Sequence, residues 1–389
     1  MIINQSCDSE LIVSSGGMDF IVAARKAGPN TSILDIRGVI NISCENTLCK
    51  AFGEAMEGSG NILLNLSGLG HMDVEGAGVL LMNAVRAAGN NIGVAACGLT
   101  NTFRDVFHIT GLDEVMAIYG DEKEAIGDGR FLEMSSSARP LPKDQDSPLR
   151  GWSKSIDRLS LTGIPAAAMN INVNGRRTSN PANGFGRLWD KRYRLRLNDA
   201  NLDPRQLASL WRSEFPAFWP QGNYVYPSGK ASLAPGTAAL LNLTLPGGLV
   251  LATGLMVIYA DDTSFSFMTA EGHILSGWIT FSCFREDAST FIQVHPLFRS
   301  SDPLMEMSLR LGAAVQEDRF WHETLGNIAR RLGTYGEVVQ QDMLVDPHIQ
   351  WKRFTNIRYS AAIRSSLYMP VYMLKRCLVR KDTSRNVNP

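Results

Sequence analysis

The stretch from Ile62 to Leu81 constrains this chain more than any other part of its sequence. An apolar run, Ile62–Leu66, is followed by a glycine-containing turn, the acidic residues Asp73 and Glu75, and a series of small and apolar residues. This order predicts a buried strand that leads into the N-terminus of a helix. Because a helix N-terminus carries partial positive charge and unpaired N–H groups, it attracts carboxylates and phosphates.

Strand and helix patterns alternate on both sides of this stretch, from residue 18 to about residue 126. Such alternation builds a sheet covered by helices, so we predict an α/β domain over residues 1–126. The predicted strands are Phe20–Val22, Ile33–Ile36, Ile62–Leu66 and Ile92–Ala96, and the predicted helices are Glu45–Met56, Gly76–Ala88 and one that begins after Thr100.

The α/β segment resembles the STAS domain of anti-sigma-factor antagonists, whose signature reads approximately Met-Asp-Ser-Ser-Gly-Leu-Gly-Val. In that family a kinase phosphorylates the second serine. Here Val74 and Glu75 replace the two serines, so the resemblance implies a fixed negative charge at the position of the phosphate. The matching positions are Met72, Asp73, Gly76, Gly78 and Val79.

The resemblance also implies a surface that binds a protein partner, formed by Asn41, Asp73, Val74, Glu75 and Gly76. A plainer interpretation is that Asp73 caps the helix and Glu75 stabilises its first turn, each by about 0.5–1 kcal/mol. The two interpretations are compatible, because charge at a helix start is common.

From residue 185 the pattern changes to a series of strands, ending in an amphipathic helix over Ala313–Leu332. This order resembles the helix-grip fold of the START/polyketide-cyclase-like (SRPBCC) superfamily, an α+β fold in which an antiparallel sheet surrounds a long C-terminal helix. The points of resemblance are Gly272-His273, Gly277–Phe281, Asp302–Leu304 and Glu317–Trp321.

The superfamily resemblance implies a cavity that binds a lipid, a polyketide or another apolar molecule. Aromatic side chains that simply fill the core are the alternative for each single residue. The predicted ligand-binding residues are Trp219, Tyr224, Phe265, Phe267, Trp278, Phe281, Phe291 and Trp321.

Two further segments complete the predicted organisation. Residues 127–184 are rich in serine and proline and are expected to form a linker. The helix-grip domain takes residues 185–333, and residues 334–389 form a basic tail. Residues 351–381 carry eight Lys and Arg and no Asp or Glu, so the tail is expected to contact an anionic membrane, to dock on the acidic N-terminal domain, or to form a solvated helix.

Composition argues against several classes of protein, namely nucleic-acid binders, proteins with cysteine metal or redox motifs, and membrane-spanning proteins. The formal net charge is zero and 44% of the residues are hydrophobic, which argues against a nucleic-acid partner. The six cysteines lack the spacing of metal or redox motifs and predict free thiols in a reducing cytoplasm. The uncharged run Ala231–Ala260 is interrupted by prolines and glycines, and it predicts two strands rather than a membrane span.

We therefore expect a bacterial-type cytoplasmic regulatory protein without enzymatic activity, catalytic residues, cofactor or metal. Its partners would be an apolar small molecule and a protein bound through the STAS-like domain. One alternative is a polyketide-cyclase-like enzyme that depends on His273 or His295. The other is a membrane-peripheral lipid carrier that contacts the membrane through residues 351–381, with the STAS-like domain as scaffold.

Overall fold

The computed structural model of the chain describes residues 20–128, 131, 149–197, 202–229, 233–245, 248–287 and 289–385. Internal contacts divide the chain into Met1–Gly151 and Trp152–Pro389. These segments are called the N-terminal unit and the C-terminal unit below.

The N-terminal unit is a mixed sheet with helices. Its strands are hydrogen-bonded in the order β1-β2-β3-β4-β5; β1 and β2 are antiparallel, and the remaining neighbours are parallel. The elements are β1 (Phe20–Lys26), β2 (Thr31–Ile40), α1 (Glu45–Met56), β3 (Asn61–Met72), α2 (Val74–Gly89), β4 (Gly93–Cys97), α3 (Asn101–Thr110), β5 (Ala117–Ile118) and α4 (Glu122–Asp128).

Two of the predicted helices begin where the sequence places them. Helix α1 has the predicted bounds and buries Leu48 and Phe52. The Thr100 hydroxyl accepts a hydrogen bond from the Phe103 N–H and caps α3, which satisfies one of the N–H groups left open at a helix start. The predicted α/β architecture of this unit is confirmed, with β3 longer than expected.

The C-terminal unit contains a large sheet in which the described strand pairs are antiparallel. The main strand order is β14-β7-β13-β12-β11-β10-β9-β8, and β6 pairs with β11. The elements are β6 (Thr178–Ser179), β7 (Leu188–Leu197), α5 (Pro204–Ser213), β8 (Tyr224–Pro227), β9 (Ala238–Thr244), β10 (Val250–Ala260), β11 (Ser264–Ala270), β12 (Leu275–Glu286), β13 (Ser289–Ser300), α6 (Pro303–Ser308), α7 (Ala314–Arg331), β14 (Val338–Asp346) and α8 (Ala361–Arg385).

One face of this sheet packs on α7. Alternation along β7 directs Tyr193 and Leu195 to that face, where they share a core with Leu325 and Ile328 of α7. Burial of such side chains contributes about 1.5–3 kcal/mol each. The predicted second domain, an antiparallel sheet with a long helix, is present in this coarse form.

Two predicted segments have more structure than expected. Part of the predicted linker, residues 152–184, belongs to the C-terminal unit: Trp152 forms a β-bridge with Tyr259, and Val173 is buried. The apolar residues of this segment follow neither a strand nor a helix period, so the sequence does not predict that they pack on the sheet. The serine- and proline-rich residues 132–148 lie outside the described residues.

The predicted tail is also structured over most of its length. Strand β14 pairs with β7, and α8 contacts β10. Because β14 lies at the edge of the sheet and most of its side chains are exposed or half-buried, its sequence lacks a strong apolar alternation. This is why the strand was missed.

The uncharged run near residue 240 contains β9 and β10, as predicted; residues 231–232 and 246–247 within it lie outside the described part. Among the described residues, helices long and apolar enough to cross a bilayer are absent.

A close backbone contact joins the start of α2 to the end of β2. A Cβ atom on Gly76 would lie 2.4 Å from the Ile40 carbonyl oxygen. We expect Gly76→Ala to lower the free energy of unfolding by about 2–3 kcal/mol, because backbone atoms must shift to admit the methyl group. Urea unfolding of the full chain measures this change.

Gly53→Ala is the matched control. Gly53 lies within α1, and a Cβ there would meet nothing within 4 Å. Alanine should therefore raise stability by up to about 1 kcal/mol through helix propensity. Equal effects of the two substitutions would contradict the importance of the α2–β2 contact.

Candidate functional site

The residues predicted to bind a protein partner do lie together, where β2 ends and α2 begins. The Asp73 Oδ1 atom accepts a hydrogen bond of 2.7 Å from the Gly76 N–H, so Asp73 is the N-cap of α2. The Asp73 N–H donates to the Ile40 carbonyl at 3.2 Å. Asn41 is the residue after Ile40, and its Oδ1 atom accepts a hydrogen bond of 2.9 Å from the Ser43 N–H.

The phosphoserine-equivalent position is not open to solvent. Glu75 is 9% exposed, and Val74 and Gly76 beside it are also buried. Asp73 and Asn41 keep partial exposure. Contact of this surface with a partner stays a prediction.

The C-terminal unit contains a partly open cavity of about 500 Å³ between its sheet and the start of α7. Strands β9 to β13 supply one side of the wall, and the segment from α6 to α7 supplies another. Its apolar wall includes Leu241, Leu243, Leu255, Phe267, Ile279, Phe281, Phe298, Leu309, Leu311 and Phe320.

The wall contains part of the predicted aromatic set, namely Trp219, Phe267, Trp278, Phe281 and Trp321. The structure places Tyr224, Phe265 and Phe291 elsewhere. Tyr224 is exposed and stacks on Tyr226, and Phe265 packs deeper in the core against Trp211.

Alternation along β13 explains the position of Phe291. Its neighbours Ile292 and Val294 belong to the inner core, and by alternation Phe291 points to the other face, where it stacks on Phe284. The predicted ligand-binding set contains only aromatic residues, so it leaves out the aliphatic residues of the wall. The two-residue period of the strands indicates those aliphatic positions.

A charged cluster borders the cavity at the start of α7. The Lys191 Nζ atom on β7 lies 2.7 Å from Asp318 Oδ1, 3.4 Å from Glu317 Oε2 and 3.9 Å from Asp342 Oδ2. The Tyr193 hydroxyl donates to Asp318 Oδ1 at 2.7 Å. Lys191 is buried, so these contacts compensate the loss of its hydration.

The two carboxylates on α7 respond differently to this cluster. Burial raises the pKa of Glu317 to about 7, although Lys191 opposes the shift. Burial acts in the same direction on Asp318, but the hydrogen bonds from Lys191 and Tyr193 outweigh it and lower the pKa of Asp318. Glu317 lines the cavity, and among the described residues its Oε1 lacks a hydrogen-bond partner.

The two histidines of the enzymatic alternative lie apart. His273 lines the cavity, its Nδ1 accepts from the Leu275 N–H at 3.0 Å, and burial lowers its pKa to about 4. It is therefore neutral at pH 7. His295 is bonded to Asp190 at 2.5 Å and does not line the cavity. Metal-binding groups of three or more His, Cys, Asp or Glu are absent from the described part of the chain.

Several solved structures resemble limited parts of the chain. The Bacillus cell fate determinant SpoIIAA in its phosphorylated form is 21% identical, covering 28% of this chain and 99% of its own, with a TM-score of 0.25. The di-domain ARO/CYC StfQ of the steffimycin biosynthetic pathway is 11% identical over 38% of this chain and 53% of its own, with a TM-score of 0.30.

A major latex-like protein 151 from Panax ginseng is 14% identical over 36% of this chain and 99% of its own, with a TM-score of 0.25. Curated proteins gave no significant sequence match. The STAS domain family model matches residues 23–125, which span the strands and helices from within β1 into α4. The N-terminal unit of this chain therefore contains a STAS domain.

Proposed function

We propose that this chain is a non-enzymatic cytoplasmic regulator whose C-terminal unit binds an apolar small molecule and whose STAS domain binds a protein partner. As part of this proposal, the C-terminal unit is a helix-grip domain of the SRPBCC kind, and its ligand is a lipid or a polyketide-like molecule. The observation that carries the proposal is the apolar cavity of about 500 Å³.

The size and the wall of the cavity support a ligand-binding role. Pockets for small molecules commonly measure about 300–1,000 Å³ and combine apolar walls with a few polar groups. Water in such an apolar space would find few hydrogen-bond partners, and an empty space forfeits the dispersion contacts of its wall. A bound apolar molecule restores those contacts.

Two wall residues carry buried polar atoms without hydrogen-bond partners in the described part of the chain. These atoms are Glu317 Oε1 and Trp219 Nε1. Trp219 packs on Phe320 with ring centroids 5.1 Å apart, one turn of α7 beyond Glu317.

Native mass spectrometry of the full chain, followed by solvent extraction, tests ligand binding directly. We expect a stoichiometric apolar molecule, or in its absence binding of the fluorescent probe 1-anilinonaphthalene-8-sulfonate. Leu243→Trp should fill part of the cavity and weaken probe binding roughly tenfold or more, a loss of at least about 1.4 kcal/mol.

Val339→Trp is the control, because Val339 is an exposed apolar residue on β14 outside the cavity wall. It should leave probe binding unchanged. Equal effects of the two tryptophans, or an apo mass together with no probe binding, would reject the cavity as a ligand site.

The charges around Lys191 predict that the free energy of unfolding depends on pH through Glu317. Since the pKa of Glu317 in the folded chain is about 7 against an ordinary 4.5, the folded state holds a proton that the unfolded state releases between these values. The resulting stabilisation is present below pH 4.5 and is lost as the pH rises through 7, by up to about 3 kcal/mol.

Glu317→Gln removes this titration while keeping the shape of the side chain. The variant should gain up to about 3 kcal/mol relative to wild type between about pH 5 and about pH 8 in urea unfolding. Glu323→Gln changes an exposed residue of the same helix and serves as control. Parallel pH profiles of wild type and Glu317→Gln would refute the assignment.

The partner role of the STAS domain calls for a separate measurement. The chain and its Glu75→Gln variant are isolated from the source organism, and co-purifying proteins are quantified by mass spectrometry. We expect one partner to change at least about threefold in amount, because the substitution removes a negative charge at the start of α2 while keeping its packing.

Glu54→Gln on α1 controls for a general loss of charge, since Glu54 is an exposed residue in an i,i+4 pair with Lys50. Identical partner amounts for all three proteins would limit Glu75 to a structural role in the first turn of its helix.

A further inference from the structure

Helix α8 has one face that is fixed to the sheet. Ala361 and Ser365 are buried. The Ser365 hydroxyl accepts a hydrogen bond of 3.0 Å from the Ala252 N–H on β10, and Asn172 Nδ2 donates to it at 3.3 Å. These contacts set the rotation of α8 about its own axis and so determine which residues face outward.

The outward face carries an apolar stripe. Leu367 is 77% exposed, Val371 45% and Leu374 63%. At 100° per residue the three lie within about 60° of one another around the helix. A continuous row of exposed apolar side chains is uncommon on a soluble surface and marks an interaction site.

A basic residue flanks this stripe. Arg364 is exposed and lies beside the stripe around the helix, and residues 351–381 of the sequence carry eight Lys and Arg. From residue 347 to residue 381 the sequence has no Asp or Glu. Apolar side chains bordered by cationic ones match the boundary between headgroups and acyl chains of an anionic bilayer.

The same helix begins at the cavity. Ala362, in the first turn of α8, is part of the cavity wall, as is Leu311, which is 79% exposed.

We propose that the outward face of α8, defined by Leu367, Val371 and Leu374, docks on an anionic lipid surface. The helix lies in the plane of the interface, with its apolar stripe between the lipid headgroups. This proposal is independent of the ligand in the cavity.

Sedimentation of the full chain with phosphatidylcholine vesicles, with and without phosphatidylglycerol, tests the proposal. We expect binding to the anionic vesicles at low salt and a loss of binding as added salt screens the charges. Leu367→Glu/Leu374→Glu should weaken the vesicle partition coefficient at least about tenfold. Val339→Glu, on the exposed edge strand β14, should leave it unchanged.

Circular dichroism and the unfolding midpoint report whether each variant keeps its fold. If the glutamate pair lowers the midpoint, Leu367→Ser/Leu374→Ser, which adds no charge, takes its place and should still reduce binding. Absence of binding to anionic vesicles, or binding that persists in these variants, would overturn the proposal. A dimer in sedimentation that the same substitutions dissociate would overturn it in favour of a second copy of the chain.

Discussion

A buried ammonium group fastens the long helix of the C-terminal unit to its sheet. Lys191 on β7 is held mainly by Asp318 of α7, and removing the close charged partner of such a buried group commonly costs about 3–5 kcal/mol. The first half of α7 thus stays at a set distance from the strands and lines the cavity. The second half of α7, with Leu325 and Ile328, packs in the aromatic-rich core of the unit.

The N-terminal unit depends on a backbone contact instead of a charge. Gly76 lets the first turn of α2 approach the Ile40 carbonyl, and Asp73 caps the same turn. With α2 buried along most of its length, Glu75 lies inside the protein. A kinase needs an accessible hydroxyl at that position, so both the residue type and the burial separate this STAS domain from one switched by phosphorylation there.

The sequence predicted regular, well-covered elements better than irregular ones. Helix α1 and the inner strands were predicted because their apolar residues repeat with the period of a single buried face. Strand β14, residues 152–184 and the fixed face of α8 escaped prediction because their burial depends on distant partners. For the same reason the sequence does not distinguish Phe267 and Phe281, which line the cavity, from Phe291, which does not, and it does not reveal that Glu317 lies opposite Lys191.

Strand β14 also determines where the chain can be shortened. It covers the outer edge of β7 with backbone hydrogen bonds from Val338 to Asp346. A chain ending at Gly333 would leave a row of unpaired N–H and C=O groups along β7, and bare strand edges recruit other chains. The residues that look like an appendage in the sequence thus protect the sheet against self-association, and a stable fragment of the C-terminal unit has to extend beyond them.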